Sequence, residues 1–318
     1  MKIKTVIIGL GSAGAYDKFL DRKFSFGRNH LDCLKANKIF EIEGLVDPNK
    51  KKHQELHKKK KISKSLFSTK VSTFKKKKID LAVISSPTDK HVQNIKDCLC
   101  LNPSVIICEK PLTNNLKESL EVLELLEKKK IKLIINYHRQ FDSFFKRLGL
   151  YYVEKKFNKF IYKYNKGFMN NASHIIYFFV SLFGKIKDYK VLRKLGTKKN
   201  INIDVLIYFK KNITLQLISF EKKKFDIFDI EAYSVDSKIE TSNGGLNYEF
   251  KQKQKNRIFN NYSSLEKYKL AFPRYGDGFN KLYERVLCFF NKKDKLNDIT
   301  YKKYKYFYEA INRIILDE

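Results

Sequence analysis

The chain has 318 residues, 43% of them hydrophobic and 14% aromatic, enough to bury a sizeable core, and two domains are expected at this length. Its formal net charge of +32 suggests nucleic acid, but 57 of the 66 basic residues are lysine and only 9 arginine, whereas base-edge and phosphate-fork recognition favours arginine. No apolar run reaches the roughly 18 residues of a membrane span, and five scattered cysteines without a CxxC pair read as reduced thiols of a cytoplasmic protein.

The N-terminal MKIKTVIIGLGSAGA carries the lysines, short apolar run and small-residue end of a signal peptide. The run is short and glycine-interrupted, so residues 2–10 are read as a first buried strand entering GLGSAG. Weak helical spacing follows over 13–20, a polar stretch DRKFSFGRN interrupts, and HLDCLKAN resumes helical character. FEIEGLVD is a second strand closing on Asp47. HQELHKKKK is a charged helix, IDLAVISSP a strand and DKHVQNIKDCLC a helix. SVIICEK is another strand, NLKESLEVLELLEKKK an amphipathic helix with Leu116, Leu120, Leu123 and Leu126 near one face, and IKLIINY the next strand. Nearly all-apolar strands alternating with helices predict a parallel sheet covered on both faces. After about Arg139, aromatic-rich helices (DSFFKRLGLYYVEKKF, ASHIIYFFVSLFG) lead into period-two strands (INIDVLIYF, ITLQLISF, FDIFDIEAYS, KIETSNGGLNYEF), and the end is helical again. The fold class expected is α/β: an N-terminal parallel-sheet domain over 1–137, then an α+β domain over 138–318 with an open, largely antiparallel or mixed sheet.

Gly9-x-Gly11-x-x-Gly14, with Leu10, Ser12 and Ala13 between the glycines, directly follows a strand. Glycines there let the turn be tight and let backbone N–H groups approach a pyrophosphate. The expected partner is an acid ending the second strand, and Asp47 fits, although it lies 33 residues past Gly14 rather than the usual ~20; an inserted loop at DRKFSFGRN accounts for the excess. A carboxylate there accepts ribose hydroxyls and repels a 2′-phosphate, so NAD is favoured over NADP. Ser85, Ser86 and Pro87 end the next strand at the carboxyl edge, where open α/β sheets bind ligands. His91 either faces the cofactor or caps the following helix. Glu109 and Lys110 end a further buried strand at the same edge, with Pro111 fixing the exit of the chain. A lysine aimed into a partly desolvated cleft has a lowered pKa and suits hydrogen bonding to an alcohol or carbonyl oxygen.

GLGSAG, SSPTDKH, CEKPL, NYHRQFD and NNASHIIYFFVSLFG, in this order and spacing, resemble the Gfo/Idh/MocA family of nicotinamide-dependent oxidoreductases, with the EKP tripeptide the most specific mark. The resemblance covers essentially the whole chain. It implies a Rossmann domain for the dinucleotide and a second domain for substrate and for assembly, as a homodimer or homotetramer, through its sheet. It implies a sugar, cyclitol or sugar-nucleotide substrate, oxidised or reduced at a carbon bearing oxygen. Lys110 would touch cofactor and substrate, His174 would transfer the proton, Tyr137 would bind substrate, and Arg139, in the arginine-bearing segment, would either bind substrate or brace the domain junction.

Asn170 and His174 are four apart, on one helical face, so both can reach a common point. Two positions depart from the family pattern: Asn170 and Tyr177 stand where members often carry Asp. Asn170 can bind a substrate hydroxyl but cannot act as a base. The departures motivate an alternative, a cofactor- or sugar-binding regulatory protein that kept the fold and altered its catalysis. Two other patterns read as structural. His53-Gln-Glu-Leu-His57 has a misplaced glutamate for HExxH and lies in a lysine-rich helix, so no metal site is expected. The aromatics of YKKYKYFYEAINRII are expected to pack inward while their lysines snorkel.

Overall fold

The computed structural model describes residues 2–16, 29–197, 200–221, 224–256, 258–259 and 261–317. The chain divides into two compact units, Met1–Phe141 with Gly276–Tyr308, and Asp142–Tyr275 with Glu309–Glu318. A single cut at 137/138 is therefore not how the chain is divided: the first unit runs four residues further and recovers a C-terminal segment.

The first unit opens with β1 (Ile3–Ile8), α1 (His30–Ala36), β2 (Phe40–Val46), α2 (Lys50–Lys60) and β3 (Phe67–Ser68). It continues through β4 (Leu81–Ile84), α3 (His91–Cys98), β5 (Val105–Cys108), α4 (Leu116–Lys128) and β6 (Lys132–Ile135). The six strands are parallel, in the order β3-β2-β1-β4-β5-β6. LAVI of β4 and VIIC of β5 are buried at every position, as strands covered on both faces must be. Asparagines start three helices: the side chains of Asn29, Asn49 and Asn115 accept from the N–H groups of Asp32, Lys51 and Glu118, each satisfying an otherwise orphaned donor. The charged α2 buries only Leu56. In α4 the fully buried face is Ser119, Val122, Leu123 and Leu126, with Leu116 and Leu120 half-buried at its margin.

The second unit carries α5 (Ser143–Glu154), β7 (Lys159–Tyr164), α6 (Ser173–Phe183), β8 (Ile186–Thr197), β9 (Asn200–Phe209), β10 (Thr214–Ser219), β11 (Phe228–Tyr233), β12 (Ser237–Ser242), β13 (Asn247–Lys255) and β14 (Ser263–Lys267). Its sheet runs β14-β13-β12-β11-β7-β10-β9-β8, with β7 and β10 parallel and the other pairs antiparallel. The segment KIETSNGGLNYEF, expected as one strand, is two: Asn243, Gly244 and Gly245 all have positive φ and reverse the chain between β12 and β13. Strand alternation sends Phe160, Tyr162, Leu215, Leu217, Ile230 and Ile239 to a buried face. That face packs on the aromatic helices, Phe160 against Phe179 at 4.7 Å and Phe145 against Phe228 at 6.2 Å between ring centroids. The opposite face carries a ladder of ion pairs, Lys163–Glu231–Lys238–Glu240–Lys251–Glu249–Lys267, stepping across five strands.

The return segment adds α7 (Gly278–Phe290), and the first half of α8 (Tyr301–Leu316), to the first unit. α7 packs on α1 and β2, with Phe279 5.0 Å from the His30 ring and Tyr283 edge-on to Phe40 at 5.5 Å. The tyrosines of α8 turn inward as expected. Tyr304 and Tyr308 hydroxyls accept the backbone N–H groups of Ile135 (3.0 Å) and Leu112 (2.8 Å), and Tyr301 donates to the Ile131 carbonyl. Among the described residues no helix is long and apolar enough to cross a membrane.

Candidate functional site

The glycine turn is built by contacts that only glycine permits. Gly9 has φ +91°, and a Cβ there would lie 2.3 Å from the Ser86 nitrogen; a Cβ on Gly14 would lie 2.0 Å from the Gly9 carbonyl oxygen. Gly11 differs: a Cβ there meets nothing within 4 Å. The first and third glycines therefore close the turn, while the second leaves an open approach to the backbone, which is what a pyrophosphate needs. Leu10, Ser12 and Ala13 lie in this turn; Ala15 and Tyr16 N–H groups both reach the Gly11 carbonyl at 2.9 Å, forming one helical turn. The helix expected over 13–20, and the interruption at 21–29 except for Asn29, extend into residues 17–28, which lie outside the described residues.

Asp47 ends β2 beside this turn and is only 4% exposed. Its Oδ2 accepts from the Leu10 N–H and from Lys52 Nζ, both at 2.8 Å, and Oδ1 accepts from the Asn49 N–H at 2.9 Å. Burial pushes this carboxyl up, but the hydrogen bonds from Lys52, Leu10 and Asn49 together outweigh it and hold the group below the usual carboxylate range. A cleft of about 810 Å³ opens here, lined by Gly9, Asp47, Ser86 and Pro87 and also by Lys52 and Lys70, a size suited to a cofactor. The lysines went unremarked in the sequence, although Lys52 sits five residues past Asp47 in the first turns of α2, a spacing that brings it back over the strand end.

Two expected cofactor residues brace the edge. Ser85, 8% exposed, donates its hydroxyl to the Gly9 carbonyl at 2.8 Å. His91, 1% exposed, turns Nε2 to the Ser86 carbonyl (2.9 Å) and Nδ1 to those of Pro111 (3.0 Å) and Leu112 (3.2 Å), tying the end of β4 to the end of β5. Ser86 itself accepts from Asn94 Nδ2 at 2.7 Å.

Glu109 and Lys110 follow β5, and the Lys110–Pro111 peptide is cis. Burial raises the Glu109 carboxyl, yet hydrogen bonds from His30 and Asn136 bring it down to about 2. Burial lowers the Lys110 ammonium to about 8, opposed by Glu109 and assisted by Arg139. His138, half-buried, desolvated and beside Arg139, falls to about 3 and is neutral at pH 7. Arg139 is thus placed near Lys110. Tyr137 is 1% exposed, its hydroxyl 3.3 Å from Tyr308 and its ring against Phe307, so it lies in the packing beneath this edge. His30, Asn136 and Tyr283 join the cluster without any signal in the sequence, because their partners are distant along the chain.

In the second unit Asn170 lies in a π-helical turn, Phe168–Ala172, and His174, 3% exposed, is the second residue of α6, which starts directly after that turn. The wide turn between them replaces the regular four-residue step expected from spacing. Such turns recur at functional sites. Tyr177 is fully buried. The two decoy histidines are engaged locally: His53 stacks on Phe67 at 5.1 Å, and His57 Nδ1 donates to the Ile62 carbonyl at 2.7 Å.

Parallel strands in this order, a glycine turn open at its middle glycine and an acid at the end of β2 define a dinucleotide-binding Rossmann fold. Residues 3–137 match the GFO_IDH_MocA family model, described as "Oxidoreductase family, NAD-binding Rossmann fold", so this part of the chain is similar to the NAD-binding fold of those oxidoreductases. A curated relative, "Uncharacterized oxidoreductase YrbE" of Bacillus subtilis (strain 168), is 37% identical over 70 residues, 22% of this chain and 20% of that protein. The match thus spans about a fifth of the relative's length. A dehydrogenase (MviM) from Clostridium difficile is similar over 99% of both chains, with TM-score 0.73 and 19% identity. A super-repressor mutant of Gal80p from Saccharomyces cerevisiae is similar over 99% of this chain and 95% of its own, with TM-score 0.74 and 12% identity. At these identities the likeness establishes the fold over nearly the full length.

Proposed function

We propose that this protein is a dehydrogenase or reductase that moves a hydride between a nicotinamide and a carbinol or ketone carbon of a sugar, cyclitol or sugar nucleotide. The observation that carries the reading is Lys110, which follows the fully buried strand β5 at the carboxyl edge of the sheet that carries the glycine turn, with its ammonium at about 8. Gly9, Gly11, Gly14 and Asp47 would hold the dinucleotide, NAD rather than NADP, with Ser85, Ser86, Pro87 and His91 shaping the edge. Bound there, the nicotinamide would supply the hydride acceptor or donor. Lys110 would orient and polarise the substrate oxygen through a hydrogen bond. The family resemblance gives His174 the exchange of the hydroxyl proton, Asn170 a neighbouring hydroxyl, and Arg139 and Tyr137 substrate contacts. The test is turnover on an identified substrate; Lys110→Ala or His174→Ala leaving turnover unchanged would refute the assignment.

Asn170 favours a second reading, a regulatory member with altered catalysis, and the fold shared with a Gal80p repressor form is compatible with it. A single-turnover absorbance measurement at the reduced-nicotinamide band, across a panel of sugars and sugar nucleotides, separates the two, because any stoichiometric hydride transfer excludes the second. The proposal extends to assembly as a homodimer or homotetramer through the second unit's sheet, testable by light scattering. It also extends to a reducing, cytoplasmic setting, in keeping with five free cysteines.

A further inference from the structure

A buried polar chain joins three stretches of the first unit that are distant in sequence. Tyr283 Oη of α7 lies 2.7 Å from Nδ1 of His30, the first residue of α1, and Nε2 of the same ring lies 3.1 Å from Glu109 Oε1. Asn136, just past β6, donates its Nδ2–H to that same oxygen at 2.6 Å. His30 and Asn136 are fully buried, and Tyr283 is 3% exposed. The partners dictate the tautomer. A carboxylate only accepts, so Nε2 carries the proton; Tyr283, kept protonated by burial, donates to Nδ1. Both ring nitrogens of the imidazole are thereby matched. Phe279 closes the cluster, 5.0 Å from His30 and 5.7 Å from His138.

Glu109 is one residue from Lys110, and its carboxylate is the anion that acts on that ammonium, while Arg139 acts on it with the opposite sign. Two donors on one oxygen fix where that anion sits. We propose that His30 is a positioning residue: held by Tyr283, it pins the Glu109 carboxylate together with Asn136 and so limits how closely that charge approaches Lys110. Without His30 the carboxylate loses one of its two side-chain anchors and can turn toward the neighbouring ammonium. A closer anion favours the charged lysine and raises its titration midpoint. A histidine that only filled space would leave Lys110 unaffected.

The inference bears on function through the reading of Lys110 given above, but its test reads the lysine itself. The intact chain is reductively methylated with 13C-formaldehyde, and the Lys110 resonance, identified by its loss in Lys110→Arg, is followed by NMR against pH without cofactor or substrate. His30→Leu is expected to raise the midpoint by about half a pH unit or more. His30→Gln, whose amide can still donate to Glu109, is expected to restore it to near the wild-type value. Glu109→Gln is expected to shift it the other way, because the anion is gone. An unchanged midpoint in His30→Leu overturns the proposal, and so does His30→Gln shifting as far as His30→Leu. If His30→Leu does not fold, Tyr283→Phe, which removes only the donor to Nδ1, is expected to raise the midpoint by a smaller amount, and no shift there overturns the proposal equally. Failure of the functional reading is distinguishable, since Lys110→Ala with normal cofactor binding and turnover would refute that reading while leaving these shifts in place.

Discussion

Changing each of the three glycines to alanine separates folding from binding. At Gly14 the new methyl would sit 2.0 Å from the Gly9 carbonyl oxygen and 2.7 Å from Ser85 Oγ, and at Gly9 it would sit 2.3 Å from a backbone nitrogen on a residue with φ +91°. In both cases the nearest atom belongs to the backbone, so the backbone must move, and each change is expected to cost at least the ~1–3 kcal/mol of an overpacked core. Gly11→Ala meets open space. By restricting the unfolded chain it is expected to leave stability unchanged or raise it by about 0.4–1 kcal/mol. The same methyl stands where a pyrophosphate must approach. Losing one charge-assisted hydrogen bond, worth ~1.5–3 kcal/mol, corresponds to roughly 10- to 150-fold weaker dinucleotide binding. The assay is a pair of measurements on each variant, a thermal melt without ligand and a fluorescence titration with NADH. Wild-type NADH affinity in a folded Gly11→Ala would refute the cradle, and a large loss of melting temperature in that variant would refute the open approach.

Three further outcomes follow from the site. Asp47→Asn removes the charge that receives Lys52 and would repel a 2′-phosphate, so the preference for NADH over NADPH, measured by parallel fluorescence titrations, is expected to fall about tenfold or more. Burial and the neighbouring Arg139 lower the His138 imidazole to about 3 when folded, against its ordinary 6.5. The stability it permits is fully present above about pH 6.5 and is lost as pH falls toward 3, by up to about 1.4 kcal/mol per pH unit; urea unfolding of His138→Gln should show a shallower loss over that window. Tyr308→Phe strands the buried Leu112 N–H, now 2.8 Å from the hydroxyl, and is expected to cost about 1–3 kcal/mol in denaturant unfolding.

What was legible in the sequence was local. The glycine turn, Asp47 and EKP are each carried by a few consecutive residues on apolar strands, and their places at the carboxyl edge followed from strand and helix alternation alone. The second sheet was legible where Leu, Ile and Val alternate with polar residues, as in ITLQLISF. It was missed in β8 and β14, whose polar, largely exposed sequences lack an apolar face, and in β7, whose KFIYKY is hidden among aromatic helices. The polar cluster around Glu109 was illegible for a different reason: His30 and Asn136 lie 79 and 27 residues from it, and Tyr283 lies 253 residues from His30. No period or motif encodes such pairings; only the closing of α7 on α1 does.

That closure also has a consequence for biosynthesis. Tyr301, Tyr304 and Tyr308 satisfy backbone groups at Ile131, Ile135 and Leu112, and Tyr283 completes the partners of His30. All four arrive only after residues 142–275, most of the second unit, have been translated. At the usual ribosomal pace the first unit waits on the order of ten seconds or more for its own last helices, with apolar surface under α7 and α8 still uncovered. The N-terminal unit is thus begun first but completed only once residues 276–308 emerge, so a truncated product ending before Gly276 would be a substrate for chaperones and proteases rather than a free-standing nucleotide-binding domain.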